Sequence, residues 1–246
     1  MRDSVRLSRF FGAGQGGCGL FDEIYRNIIY QDRWLYLLKG LWVTVEVTFF
    51  AILLGTILGM VLALMRISNF KLFRIRILEK ISSFYITIIR GTPLMVQLLI
   101  IYFVVFASVD IDKVIVAVIA FGLNSAAYVA EIIRGGILSV DKGQAEAGRS
   151  LGLSYTQTMR HIVMPQAIKN ALPAYTSEFI VLIKETAIVG YIALEDLTKV
   201  GDTIRSRTFS ALVPLLTVAL IYLLLTGVLA KLFMRLERRL RRSDNR

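Results

Sequence analysis

The chain has 246 residues, of which 56% are hydrophobic and 19% are charged, and its formal net charge is +11. Soluble domains carry about 25% charged residues, and a soluble protein this apolar would expose large apolar patches, so the composition argues against a soluble class and favours a membrane protein. An excess of positively charged residues suggests either nucleic acid or an anionic membrane surface as the partner. Because the charges flank the apolar runs, no nucleic-acid binding is expected.

The N-terminal part is polar and of mixed character. We interpret residues 1–38 as a tail that includes a short interfacial helix before the first span. The glycine-rich run around Cys18, the chain's one cysteine, lacks the apolar core of a signal peptide and permits no intrachain disulfide. The sequence thus predicts a tail at 1–38, a transmembrane domain at 39–236 and a basic tail at 237–246.

Apolar runs predict about five membrane-spanning helices, since each span needs roughly 20 residues. Their expected ranges are about 40–65, 81–107, 113–135, 174–195 and 211–233. The second is interrupted at residues 90–93, where Pro93 removes a backbone donor and is expected to kink the helix. The fourth has weak hydropathy because charged residues lie inside it.

The first span carries a stripe of small residues, Ala51, Gly55, Gly59 and Ala63, which recur every four positions. Such a stripe lets two helix backbones approach closely in lipid. It serves either dimerisation of two subunits or packing within one subunit, and we favour packing within the subunit.

Positive residues are concentrated in the loop 66–80 and after position 230. Positively charged loops stay on the cytoplasmic side, whereas the turn at 110–112 and the loop 196–210 lack such an excess. We therefore expect the N-terminus outside and the C-terminus inside. The N-terminal tail is also basic and opposes this orientation, but three other internal segments agree with one another.

The polar segment 139–165 is too long and too structured for a mere connection. Asp141 predicts a helix N-terminus, and Gly152 suits the left-handed position after a helix. The Ser154-to-Gln157 spacing is that of a capping box, and Pro165 is expected to stop the second helix. The segment therefore predicts a helix, a glycine turn and a second helix on the cytoplasmic side.

This segment resembles the cytoplasmic loop motif of ABC importer permeases, E-A-A-x3-G-x9-I-x-L-P. The matching residues are Glu146, Ala147, Gly148, Gly152, Ile162 and Pro165. Gly148 replaces the second Ala and Met164 replaces the Leu, both conservative in size. Further stretches are similar to the polar amino acid branch of that family: 90–97, 127–137, 165–168 and 184–186.

The resemblance implies the type I importer fold, an all-α bundle in the inner membrane of a prokaryote. It implies a two-fold dimer with a second permease, identical or related, and an external solute-binding protein. In the family the short loop helix docks on a dimer of ATPase subunits, which bind ATP and Mg. Since the chain has no G-x-x-x-x-G-K-[ST], hydrolysis is expected from those partners. The alternative for 139–165 is an amphipathic helix on the lipid surface.

Polar residues inside the spans are costly and usually face a cavity or a partner. Asn124, Tyr128 and Glu131 share one face of the third span, while the fourth holds Glu178, Lys184 and Glu185. One interpretation is a polar path for the ammonium and carboxylate of an amino acid. The other is a network of ion pairs that locks the bundle, with Lys184 neutralising Glu131 or Glu185, or Glu131 pairing with Arg134. The excess of carboxylates is a weak indication of a cationic substrate.

The chain shows no catalytic set, and His161 has no companion ligands for a metal. We therefore expect a non-enzymatic permease subunit of an ATP-driven importer for polar amino acids, a class that includes basic ones. The competing class is a self-contained secondary transporter or channel, which often shows internal repeats and broken helices. An intramembrane enzyme is a third class, which the missing catalytic set disfavours.

Overall fold

The computed structural model describes residues 19–67 and 76–242, which are helical almost throughout and contain no strand. The helices are α1 Leu20–Ile24, α2 Arg33–Ile67, α3 Ile77–Gly91, α4 Leu94–Ile100, α5 Lys113–Leu138, α6 Lys142–Ser150, α7 Tyr155–Thr158, α8 Met164–Glu185, α9 Leu197–Thr208 and α10 Leu212–Arg242. Wider π-helical turns follow α1, α4 and α7, at Tyr25–Ile29, Ile101–Val105 and Met159–Val163. The expected all-α fold class is confirmed.

Three helical stretches in the described ranges are long and apolar enough to cross a membrane: Phe21–Ile67, which runs from α1 into α2 through a π turn and the short 3-10 helix Tyr30–Asp32, then Lys113–Leu138 and Leu212–Leu240. A fourth crossing is added if Ile77–Gly91 and Leu94–Val105 form one span, with their axes bent by 105°. The bend lies where the sequence predicts a kink. The helix α8 occupies the place of the remaining expected span, but it carries charges and is less apolar.

The helix α8 begins earlier than predicted, at Met164, and ends at Glu185 instead of near residue 195. The expectation that Pro165 stops the second loop helix is wrong. Pro165 is the second residue of α8, which directly follows the π turn Met159–Val163, and a helix tolerates proline in its first turn. The chain therefore stays helical from α7 through the π turn into α8.

One compact unit comprises the described residues up to Glu46 together with Ala187–Leu225. Its buried apolar core is formed by Leu37, Leu197, Val200, Ile204 and Val218. The carboxylate of Asp196 accepts hydrogen bonds from the first N–H groups of α9, and burial raises the pKa of that carboxyl. Gly40 is required beside this cap, because an added Cβ would stand 2.8 Å from the carbonyl oxygen of Asp196.

The second compact unit comprises Val47–Thr186 together with the described residues after Leu225. Here the small-residue stripe of α2 faces α5: a Cβ added at Gly55 would lie 2.9 Å from Cβ of Ser125, and one at Gly59 would lie 2.8 Å from Cβ of Val129. Ala51 is also fully buried. The stripe therefore packs within the subunit, as predicted, and brings the two backbones together.

Candidate functional site

The segment 139–165 forms the predicted pair of helices joined by a glycine turn. The carboxylate of Asp141 accepts a hydrogen bond from the N–H of Gly143 at 2.6 Å and so caps α6. Gly152 has φ of +83°, the left-handed conformation that glycine adopts without strain. In the capping box, Ser154 Oγ accepts from the N–H of Gln157 at 3.3 Å, and Gln157 Oε1 accepts from the N–H of Ser154 at 2.9 Å.

The two ends of the loop motif pack against each other. Gly148 is buried, and a Cβ added there would stand 2.8 Å from Cδ1 of Ile162 and 3.0 Å from Cγ2 of Thr158. Glu146, Ala147 and Arg149 are exposed on the other side of α6. The motif thus divides into residues that hold the helix pair together and residues that leave one face of α6 open.

The helix pair is fastened to the ends of α5 and α8. Val140, Val163 and Ala167 form a buried cluster on which Ile137, Ala145 and Met159 pack. Across the same junction the side-chain amide of Asn170 donates to Ser139 Oγ at 2.9 Å. The helix pair is therefore in direct contact with both of these long helices.

The polar residues on one face of α5 have different partners. Asn124 is 4% exposed, and its side-chain amide donates to Gln97 Oε1 at 3.0 Å. The carboxylate of Glu131 is paired with two guanidinium groups, those of Arg66 and of Arg134, the latter at 2.7 Å. In the described part of the chain Glu131 thus pairs with these arginines and not with Lys184.

Tyr128 and Glu131 line a cavity of about 360 Å³, together with Arg90, whose guanidinium lies over the Tyr128 ring at 5.2 Å from its centroid. The rest of its lining is Ile132, Gly135, Gly136, Ser139, Asn170, Ala171 and Ala174. The cavity lies among α3, α5 and α8, and it holds an arginine cation beside mostly apolar walls.

The predicted residues of α8 occupy two places. Glu178 is half-buried, and its carboxyl accepts a hydrogen bond from Ser125 Oγ on α5 at 3.0 Å. Lys184 is exposed, and Glu185 is the half-buried last residue of the helix. Glu178 is thus hydrogen-bonded to α5, the helix that carries Asn124, Tyr128 and Glu131. Lys184 and Glu185 lie at the C-terminal end of α8, far from Pro165.

Sequence reasoning missed three partners that the fold supplies: Gln97, Ser125 and Arg66. The role of Gln97 could have been predicted, because it lies one helical turn after Pro93, which leaves the carbonyl of Ile89 without its backbone donor. The roles of Ser125 and Arg66 could not, since their partners lie 53 positions away, at Glu178, and on another helix, at Glu131.

Residues 35–242 match the family described as binding-protein-dependent transport system inner membrane component. The arginine transport system permease protein ArtQ of Bacillus subtilis (strain 168) is 41% identical over 211 residues, covering 85% of this chain and 94% of that protein. The L-cystine transport system permease protein TcyB of the same organism is 37% identical over 218 residues, covering 88% and 91%.

Solved structures are similar over nearly the same length. A crystal structure of an amino acid ABC transporter with histidines matches with a TM-score of 0.77 and 44% identity, covering 83% of this chain and 94% of that one. The MetNI methionine ABC transporter, in an inward-facing conformation, matches with a TM-score of 0.73 and 21% identity, covering 85% and 98%. The second likeness supports the fold alone.

Proposed function

The chain belongs to the family of binding-protein-dependent transport system inner membrane components, and from this premise we propose that it carries amino acids by alternating access, driven by a separate ATPase. Such a component is a multi-pass permease of the inner membrane. The alternative, a self-contained secondary transporter or channel, is disfavoured, because the family works with partner subunits. The observation that carries the proposal is the exposed face of α6, whose opposite side packs through Gly148 against Ile162.

The coupling step follows from this geometry. Glu146, Ala147 and Arg149 are exposed on α6, while Gly148 and Ile162 hold the helix against its neighbour. A small residue at 147 permits close approach, and the two charges offer pairing to oppositely charged groups of an ATPase groove. Gly152 forms the turn between the two helices of the pair, and Pro165 stands at the start of α8 after them. Closure of an ATPase dimer, which binds the ATP and Mg, would move α6 and with it α5 and α8.

The substrate path is proposed to run along α5 and α8. Glu178 is bonded, among the described residues, to the neutral hydroxyl of Ser125, so its carboxyl is available to a cationic group of a substrate. Tyr128 faces the cavity, and Lys184 and Glu185 provide charged groups farther along α8. Asn124 is hydrogen-bonded to Gln97, and Glu131 is ion-paired with two arginines. We therefore propose that these two residues support the walls of the path and do not themselves contact the substrate.

A basic or polar amino acid is the substrate class that this path fits. The relatives' names include arginine, glutamine, L-cystine and octopine transport. Carboxylates within the spans favour a cation over an anion, since an unpaired charge in lipid is costly unless it meets its opposite. A zwitterion with a basic side chain provides two positive groups and one negative group.

The remaining parts of the proposal concern assembly. Residues 39–236 would form the transmembrane domain with the coupling segment 139–165, flanked by the tails 1–38 and 237–246. The N-terminus would lie outside and the C-terminus inside. A second permease, identical or related, would complete the path, and an external solute-binding protein would deliver the amino acid.

Uptake of radiolabelled amino acids into proteoliposomes that contain the permease and its candidate ATPase tests the function. We expect uptake of a basic amino acid that requires ATP inside and the binding protein outside. Uptake that proceeds equally without ATP, or that is driven by an ion gradient alone, would contradict an ATP-driven importer.

A further inference from the structure

The break between α3 and α4 leaves backbone carbonyls without their usual donors. The last turn of a helix always has this deficit, because its C=O groups lack N–H partners four residues on. The carbonyl of Ile89 would pair with the N–H of residue 93, but that residue is proline and has no N–H. In the hydrocarbon core of a bilayer no water would bond such a carbonyl, so a donor supplied by the protein stabilises the break.

The side chain of Gln97 meets it. Its Nε2 lies 2.8 Å from the carbonyl oxygen of Ile89 and 2.8 Å from Oγ1 of Thr92. Thr92 Oγ1 in turn donates to the carbonyl of Ile88 at 2.9 Å. The carbonyls of Ile88 and Ile89 thus each accept a hydrogen bond from a side chain, and for Ile89 the backbone donor at residue 93 is missing.

The other atom of the same amide ties the break to α5. Gln97 Oε1 accepts from Asn124 Nδ2 at 3.0 Å, and both side chains are buried. One turn farther along α5 stands Tyr128, and its ring is faced by Arg90, the last residue but one of α3. The bend and the cavity that Arg90 lines are therefore linked through one glutamine.

We propose that Gln97 is the positioning residue of the broken span: it supplies the donor that Pro93 lacks and fixes the bend against α5 through Asn124. The inference goes beyond the proposed function, since it holds whichever amino acid is carried. The side-chain amide of Gln97 donates the hydrogen bond to Ile89 that residue 93, a proline, cannot donate.

The bend angle is the readout. Spin labels on Phe84 and Val104, which are 69% and 70% exposed, can be introduced into the full chain after Cys18→Ser. With a 105° bend the two Cα atoms lie roughly 19 Å apart, whereas one straight helix would hold them roughly 30 Å apart. The distance distribution is recorded in liposomes.

Four proteins are compared: wild type, Gln97→Met, Pro93→Ala with Gln97→Met, and the control Thr87→Val. Gln97→Met keeps the length of the side chain but removes its donor, so the short distance should broaden and the melting temperature should fall. Pro93→Ala returns an N–H to Ile89, so the double variant should regain stability with a single distance near the straight-helix value. Thr87→Val removes a hydroxyl bonded to a carbonyl within the regular part of α3 and should change neither quantity.

Two results would overturn the inference. One is an unchanged distance distribution and melting temperature in Gln97→Met. The other is a double variant, Pro93→Ala with Gln97→Met, that regains neither the folding lost in Gln97→Met nor a single distance near the straight-helix value, including the case in which Gln97→Met does not fold. Recovery of folding when Pro93→Ala is added to Gln97→Met would support the inference, because an added backbone donor would not relieve a general packing defect.

Discussion

Cδ1 of Ile162 lies where a side chain at Gly148 would begin, since a Cβ added to that glycine would stand 2.8 Å away. These two residues are 14 positions apart in the loop motif, and their contact holds α6 against the π turn before α8. The contact explains why position 148 must be small, and it connects the motif's spacing with the stability of the helix pair.

Enlarging position 148 should separate these helices. We expect Gly148→Val to destabilise the chain by about 1–3 kcal/mol, the usual cost of overpacking, and to lower the melting temperature in detergent. Gly227→Val is the matched control, because an added Cβ there meets nothing within 4 Å. Equal melting temperatures for Gly148→Val and wild type would show that the contact does not hold the helix pair.

The glycine turn gives a graded test at position 152. Its φ of +83° is accessible to asparagine far more readily than to a β-branched residue, for which the left-handed region costs about 1–2 kcal/mol or more. We expect Gly152→Asn to retain most ATP-dependent uptake and Gly152→Val to lose most of it at equal expression. Indistinguishable uptake by the two variants would mean that the backbone conformation of the turn does not matter.

Substitution of Glu131 distinguishes a structural ion pair from a residue that contacts the substrate. Because its carboxylate pairs with Arg66 and Arg134, Glu131→Gln leaves two arginines without their partner and should lower stability by about 1–3 kcal/mol. A double-mutant cycle with Arg134→Gln should show that the two effects are not additive. If instead Glu131→Gln leaves the melting temperature unchanged and raises KM for the amino acid, Glu131 contacts the substrate.

Glu178 tests the substrate class. Loss of one hydrogen bond to a charged group should reduce uptake of a basic amino acid by about tenfold or more in Glu178→Gln, with a smaller effect on a neutral one. Ser125→Ala, which removes the hydroxyl but keeps the carboxyl, serves as the comparison. A Glu178→Gln variant that reduces uptake of basic and neutral amino acids equally would contradict a role in recognising the cation.

Local features of the fold could be predicted from the sequence, and distant contacts could not. The cap at Asp141, the left-handed Gly152 and the capping box at Ser154 each depend on a few neighbouring residues, and all three are present. Pro165 was misplaced because proline is compatible both with the end of one helix and with the first turn of the next.

Pairs that join different helices depend on how the helices are placed. The partners Arg66 and Glu131, or Ser125 and Glu178, have no mutual signal in a single sequence, since residue types alone do not specify which helix faces meet. The bend at Pro93 was predicted, but not the glutamine that bonds the carbonyl freed by it.

The most direct test of the account is co-purification of the full-length chain with its candidate ABC ATPase, comparing wild type with Glu146→Arg. The control is Glu195→Arg, which makes the same charge reversal at an exposed residue outside the loop motif. We predict that wild type and the control retain the ATPase and its substrate-stimulated hydrolysis, whereas Glu146→Arg loses one or both while remaining folded. Full retention of association and of stimulated hydrolysis by Glu146→Arg would contradict docking of the ATPase on α6.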